Sequence, residues 1–143
     1  SLKDGSKKMS KSELSDLSRI NLTDSKDQII NKIKKAKTDP LPMPKNINEL
    51  NERLEAKNLL GIYSSLSNDT LQNTIELFAE KNFSEFKEKL SDLLVTKIDP
   101  ISKEIKKLIE DKSYLDKILL DGVEKANAIS SKKIQRIKEI VGF

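Results

Sequence analysis

At 143 residues, with a net charge of +4 and a pI near 9.1, the chain has the size of one domain, able to bury roughly two-thirds of its unfolded surface. It holds neither cysteine nor histidine, which excludes disulfides, thiolate nucleophiles, Ser-His triads and zinc sites built on Cys or His. No apolar run approaches the length a membrane span needs, and the basic balance, carried almost wholly by lysine, suits a polyanionic partner.

Residues 1–24 are rich in Ser, Asp and Lys, with few periodic apolar positions. They read as an irregular loop with a short extended stretch at Ile20-Asn21-Leu22. Within it, Lys8-Met9-Ser10-Lys11-Ser12 sets two ammoniums and two hydroxyls around one apolar spacer. Two cations three positions apart on a loop reach one polyphosphate, each as a flexible point charge, and the serines add hydroxyl and backbone N–H donors. Asp4-Gly5, just upstream, is a turn dipeptide and a candidate hinge for closing such a loop. The chain begins inside this loop without an initiator Met or a signal peptide, and is expected to be the C-terminal piece of a longer protein.

At Ser25 the pattern changes. Ser25 and Gln28 fit a capping box, and Ile29, Ile30, Ile33 and Ala36 then share one face, which predicts a helix over about 26–37. Thr38-Asp39-Pro40 stops it. Prolines alternating with Leu41 and Met43 make 40–44 an extended connector, and 46–55 holds a short turn of helix. Leu59, Leu60, Ile62, Tyr63 and Leu66 line the next helix; Asn68-Asp69 punctuates; Leu71, Ile75, Leu77 and Phe78 resume. A helix from Ser84 carries Phe86, Leu90, Leu93 and Leu94 inward, and Pro100 marks the first turn of another with Ile101, Ile105, Leu108 and Ile109. The last apolar series runs from Leu115 through Ile118, Val123 and Ile129 to Ile140 and Val141. Strict alternation is absent throughout, so the expected fold class is all-α: a helical bundle over 25–143, preceded by the irregular segment 1–24.

On the first helix Lys26, Lys32, Lys34, Lys35 and Lys37 crowd the half opposite the isoleucines. Such a stripe suits a phosphate backbone, or is simply a solvated face; it positions without reading bases. Phe78 and Phe86 have the spacing of core residues, which leaves few aromatics for base stacking.

The run K-M-S-K-S is the second signature of the class I aminoacyl-tRNA synthetases. Followed by K-I-K-K-A-x-T-D at Lys32–Asp39, it resembles the bacterial tryptophanyl-tRNA synthetases in particular. Asn58-Leu59-Leu60-Gly61-Ile62-Tyr63-Ser64, Phe86-Lys87, Pro100-Ile101, Asp121-Gly122-Val123-Glu124-Lys125-Ala126 and the closing Gly142-Phe143 are similar to further landmarks of that family, so the likeness covers the whole chain. The chain departs from the pattern at Ala56-Lys57, where the family has a Gly, and over Pro40–Glu55. It also lacks the histidines of the first signature.

The resemblance implies a signature loop and exit from a Rossmann-type catalytic domain at 1–24, and an anticodon-binding helical domain at 25–143. The longer enzyme would be a cytoplasmic homodimer using ATP with Mg²⁺, tryptophan and tRNA(Trp), and not a membrane protein. Lys8 and Lys11 would act as catalytic cations. Lys8, Met9, Ser10, Lys11 and Ser12 would bind ATP, Met9 against the adenine side, and Lys32, Lys34, Lys35 and Lys37 would meet tRNA; no metal ligand is assigned. This piece alone would be inactive. The alternatives are the tyrosine-specific relative and a non-catalytic helical adaptor for RNA or protein.

Overall fold

The computed structural model describes residues 1–142; Phe143 of the terminal Gly-Phe pair lies outside the described residues. Helices α1 (Lys26–Lys35), α2 (Ile47–Asn51), α3 (Leu54–Ser67), α4 (Leu71–Phe78), α5 (Phe83–Glu110) and α6 (Lys112–Val141) follow a 3-10 turn at Asp16–Ser18. No strand occurs among the described residues, in keeping with the all-α expectation.

The start of α1 is the predicted capping box: the Ser25 hydroxyl accepts from the Gln28 N–H, and the Gln28 side chain accepts from the Ser25 N–H at 2.7 Å. The helix ends two residues before the expected 37. Ala36 turns to ψ 140°, and the Lys37 N–H leaves the helical ladder to donate to the Leu2 carbonyl at 2.8 Å. Asn68, expected as a breaker, caps α3 at φ 58°, a left-handed conformation that Asn tolerates better than most residues.

The proline connector is tied down at both ends. Met43 exchanges backbone hydrogen bonds with the α4–α5 turn, donating to the Lys81 carbonyl and accepting from the Glu80 N–H. Arg53 grips the Asp39 carboxylate through both Nε and Nη2 and also donates to the Pro42 carbonyl. A two-pronged guanidinium–carboxylate contact fixes direction as well as distance, so the chain reversal after α1 has one geometry.

Two compact units divide the chain, Ser1–Lys103 and the residues from Glu104 onward. The boundary expected at 24/25 falls inside the first unit, where Leu2 is buried together with Ile29, Ile33, Met43, Leu50, Leu59, Leu60, Ile75 and Leu90. Phe78 and Phe86 are buried as expected; Phe78 meets both Tyr63 and Phe86 edge-on, with ring centroids 4.8 Å apart in each pair.

One expectation is corrected. Pro100 does not begin a helix: it lies inside α5. The apolar period on either side of it stays in phase, and the Lys103–Asp99 ion pair at 2.7 Å spans it. Within the second unit, no residue of α6 is buried, and Ile118, Val123, Ile129, Ile137 and Ile140 are exposed. Helical spacing tells which side chains share a face, not whether anything covers it.

Candidate functional site

The five residues Lys8–Ser12 stand exposed at the tip of the N-terminal loop. Ser10 and Ser12 share a hydroxyl–hydroxyl bond of 3.1 Å, and the Glu13 N–H turns back on the Ser10 carbonyl. Among the described residues neither Lys8 nor Lys11 has a carboxylate within ion-pair distance. Two unneutralised ammoniums beside two hydroxyls offer several donors and no negative charge, which suits a polyphosphate. Met9 is half exposed and borders an open cleft of about 710 Å³, shared with Leu2, Arg19, Asn58, Ile62 and Leu94.

The tip is free, but the root is fixed. Leu2 is buried; its N–H donates to the Ser18 carbonyl at 2.9 Å, and its carbonyl accepts from Lys37. The Asn58 amide on α3 donates to the Ser1 carbonyl at 3.2 Å. Asp4 organises the turn that follows: its carboxylate accepts from the Ser6 N–H and hydroxyl, with Lys7 also nearby. Those Ser6 bonds, the larger influence, and Lys7 hold Asp4 below the usual carboxylate range.

Gly5, expected as a hinge, lies outside the left-handed region. Its lack of a side chain is what the packing uses, because a Cβ there would stand 2.5 Å from the Leu54 carbonyl oxygen.

The return from the loop is organised by charge. Arg19 donates to the Glu13 carbonyl and to Asn21, and pairs with Asp16. Lys32 reaches out of α1 to both Asp16 at 2.6 Å and Asp24 at 2.7 Å, with its own side chain and that of Asp24 buried. The Lys32 hydrogen bond, then that of Asn21, lowers the Asp16 pKa. Ser18 Oγ, buried beside them, has no hydrogen-bond partner.

This placement corrects the basic stripe. Lys32 does not belong to it, because its ammonium is spent on two carboxylates inside the fold. Lys26, Lys34 and Lys35 are exposed. Lys37 is half exposed and pairs with Glu55 at 2.9 Å, a contact that raises the Lys37 pKa.

Sequence reasoning did not single out Lys87 or Asn58 for a role, although both fall in quoted landmarks. Lys87 Nζ closes the end of α1 by donating to the carbonyls of Lys34 and Ala36, and burial depresses its pKa. A cleft of about 610 Å³ beside it is bordered by Lys34, Thr38, Phe83, Lys87, Glu88 and Asp92. The partners of these residues lie more than fifty positions away in sequence, beyond the reach of local spacing. Among the described residues no group of three or more Asp and Glu is placed to hold a metal ion.

Comparison with known proteins gives this geometry a context. The chain is 46% identical over its whole length to the tryptophan–tRNA ligase of Brucella melitensis, 47% to that of Agrobacterium fabrum and 48% to that of Rickettsia conorii. It spans 40% of the first two relatives and 43% of the third. The family described as tRNA synthetases class I (W and Y) matches residues 1–99. A match that starts at the loop root and runs well into α5 makes this chain a member of the class I tRNA synthetases (W and Y).

Proposed function

We propose that the chain is part of a tryptophan–tRNA ligase, which activates tryptophan with ATP to tryptophanyl-adenylate and transfers the amino acid to tRNA(Trp). The observation that carries this is the exposed, unpaired Lys8 and Lys11 on a loop whose root is fixed, within a chain that is similar over its whole length to ligases of that name.

In adenylate formation a carboxylate oxygen of tryptophan attacks the α-phosphorus of ATP, and the bond to the bridging oxygen breaks. Pyrophosphate leaves with the electron pair, and its negative charge grows in the transition state. Lys8 and Lys11 meet that charge, while Ser10 and Ser12 supply hydroxyl and backbone donors to the same oxygens. Only contacts that tighten as charge develops raise the rate, which is why an exposed tip on a held root suits the task. Met9 supplies the apolar contact on the adenine side. Mg²⁺ would be bound chiefly through the phosphates and water; no cluster of carboxylates that could hold it occurs among the described residues.

The helical part is proposed to receive the anticodon arm of tRNA(Trp). Lys34, Lys35 and Lys37 at the end of α1 would meet its phosphates, without Lys32. Such contacts position RNA and carry no sequence information. The ligase is proposed to work in the cytoplasm as a homodimer; no helix among the described residues is long and apolar enough to cross a membrane. The nucleotide-binding fold would lie outside this chain, so the piece alone should not catalyse ATP–pyrophosphate exchange.

Lys8→Ala and Lys11→Ala, made in the full-length protein, test the reading by exchange kinetics. Each is expected to lower kcat by about a hundredfold, the effect of losing one well-placed transition-state donor worth about 3 kcal/mol. Exchange at the wild-type rate in the double variant would end the proposal.

A further inference from the structure

The loop root is held by backbone bonds at Leu2 and by one side chain from a distant element, Asn58, whose amide donates to the Ser1 carbonyl. The Asn58 side chain is half-buried on the second turn of α3. One turn earlier on that helix, the Leu54–Glu55 peptide lies so close to Gly5 that no side chain fits between them. Ser1 and Gly5 therefore both rest on the start of α3, and the three residues that follow lead straight to Lys8.

Three residues span at most about 10 Å. Over so short a tether the position of the root limits where Lys8 can reach, while the flexible lysine stem sets its final approach. We propose that Asn58 is a positioning residue for the signature loop. By holding the Ser1 carbonyl on α3 while Gly5 lets the next turn lie flat on the same helix, it sets the point from which Lys8 and Lys11 reach. The inference rests on the reading of those lysines as the ATP-phosphate contacts.

Its chemistry is specific to an amide donor. Ser1 offers only a carbonyl acceptor there, so alanine removes the bond, whereas glutamine keeps a donor on a longer stem. Reactions that depend on alignment lose rate steeply when a contact moves by about an ångström, so the cost should appear in turnover. Binding of tryptophan, which this loop does not touch in the proposed role, should be spared.

The test uses the full-length protein with Asn58→Ala and Asn58→Gln, and two readouts. Limited trypsin digestion without ATP reports the root: in Asn58→Ala, cleavage after Lys7, Lys8 and Lys11 should rise several-fold, with cleavage elsewhere and the Tm unchanged. In ATP–pyrophosphate exchange, kcat should fall about tenfold with KM for tryptophan unchanged, and Asn58→Gln should fall between alanine and wild type. Unchanged loop cleavage, uniformly faster cleavage with a lowered Tm, or a loosened loop with undiminished kcat would each overturn the proposal. If the wild-type protein shows no exchange at all, the ligase reading fails instead, and the digestion pattern still decides whether Asn58 holds the root.

Discussion

Lys32 is held out of water between two carboxylates, and this makes it the most consequential charge in the loop exit. Removing one partner of such a buried arrangement leaves the other uncompensated, which costs about 3–5 kcal/mol. Lys32→Met should therefore lower the unfolding free energy by about that amount, read from the urea midpoint, because it strands the buried Asp24. Asp16 adds a pH dependence of known sign. Its hydrogen bond from Lys32, chiefly, lowers its folded pKa from the ordinary 3.8, so the unfolded chain binds the proton more readily. The contribution is complete above 3.8 and is lost as pH falls through the lower folded value. Asp16→Asn should accordingly lose less stability than the wild type as pH falls below 3.8. None of this is legible in the sequence, where Lys32 counts as one of four lysines on α1. Its two partners lie eight and sixteen residues upstream, both before the start of the helix that carries it. The exposed tip was easier: a run of Lys and Ser without apolar periodicity has nothing to bury, and Lys8 to Ser12 are indeed in solvent.

At the scale of elements, local chemistry was readable and long-range chemistry was not. Ser25 and Gln28 announce α1 because both halves of a capping box lie within four residues, and Asn68 announces the end of α3 for the same reason. The end of α1 slipped because what terminates it is the Leu2 carbonyl, more than thirty residues away in sequence. Pro100 shows the converse error. As a first-turn residue it would cost nothing, but inside α5 it removes one helical N–H donor and crowds the carbonyl four residues earlier, that of Thr96. Continuous burial on the face that carries Leu90, Leu94, Ile98 and Ser102 holds the helix together across it. Pro100→Ala should therefore stabilise the protein, by up to about 3 kcal/mol on the helix-interior scale. A rise in Tm is the expected readout; a fall would mean that the helix is broken at Pro100 in solution.

For the whole molecule, the same apolar period led to two different outcomes. In α3, α4 and the first part of α5 it marks burial, because elements brought alongside by tight, capped turns close over it, as the edge-on contacts among Tyr63, Phe78 and Phe86 show. In α6 it marks only a shared face. Every buried residue of the described chain lies in the first unit, between Leu2 and Ser102. A chain shortened to end at Glu110 keeps all of that core and every hydrogen bond at the loop root, including those from Ser18, Lys37 and Asn58. It should lose helical circular dichroism in proportion to the residues removed. Its cooperative unfolding in urea should remain, because every buried residue stays in the shortened chain. A shortened chain that unfolds without cooperativity would show instead that the first unit does not hold its core by itself.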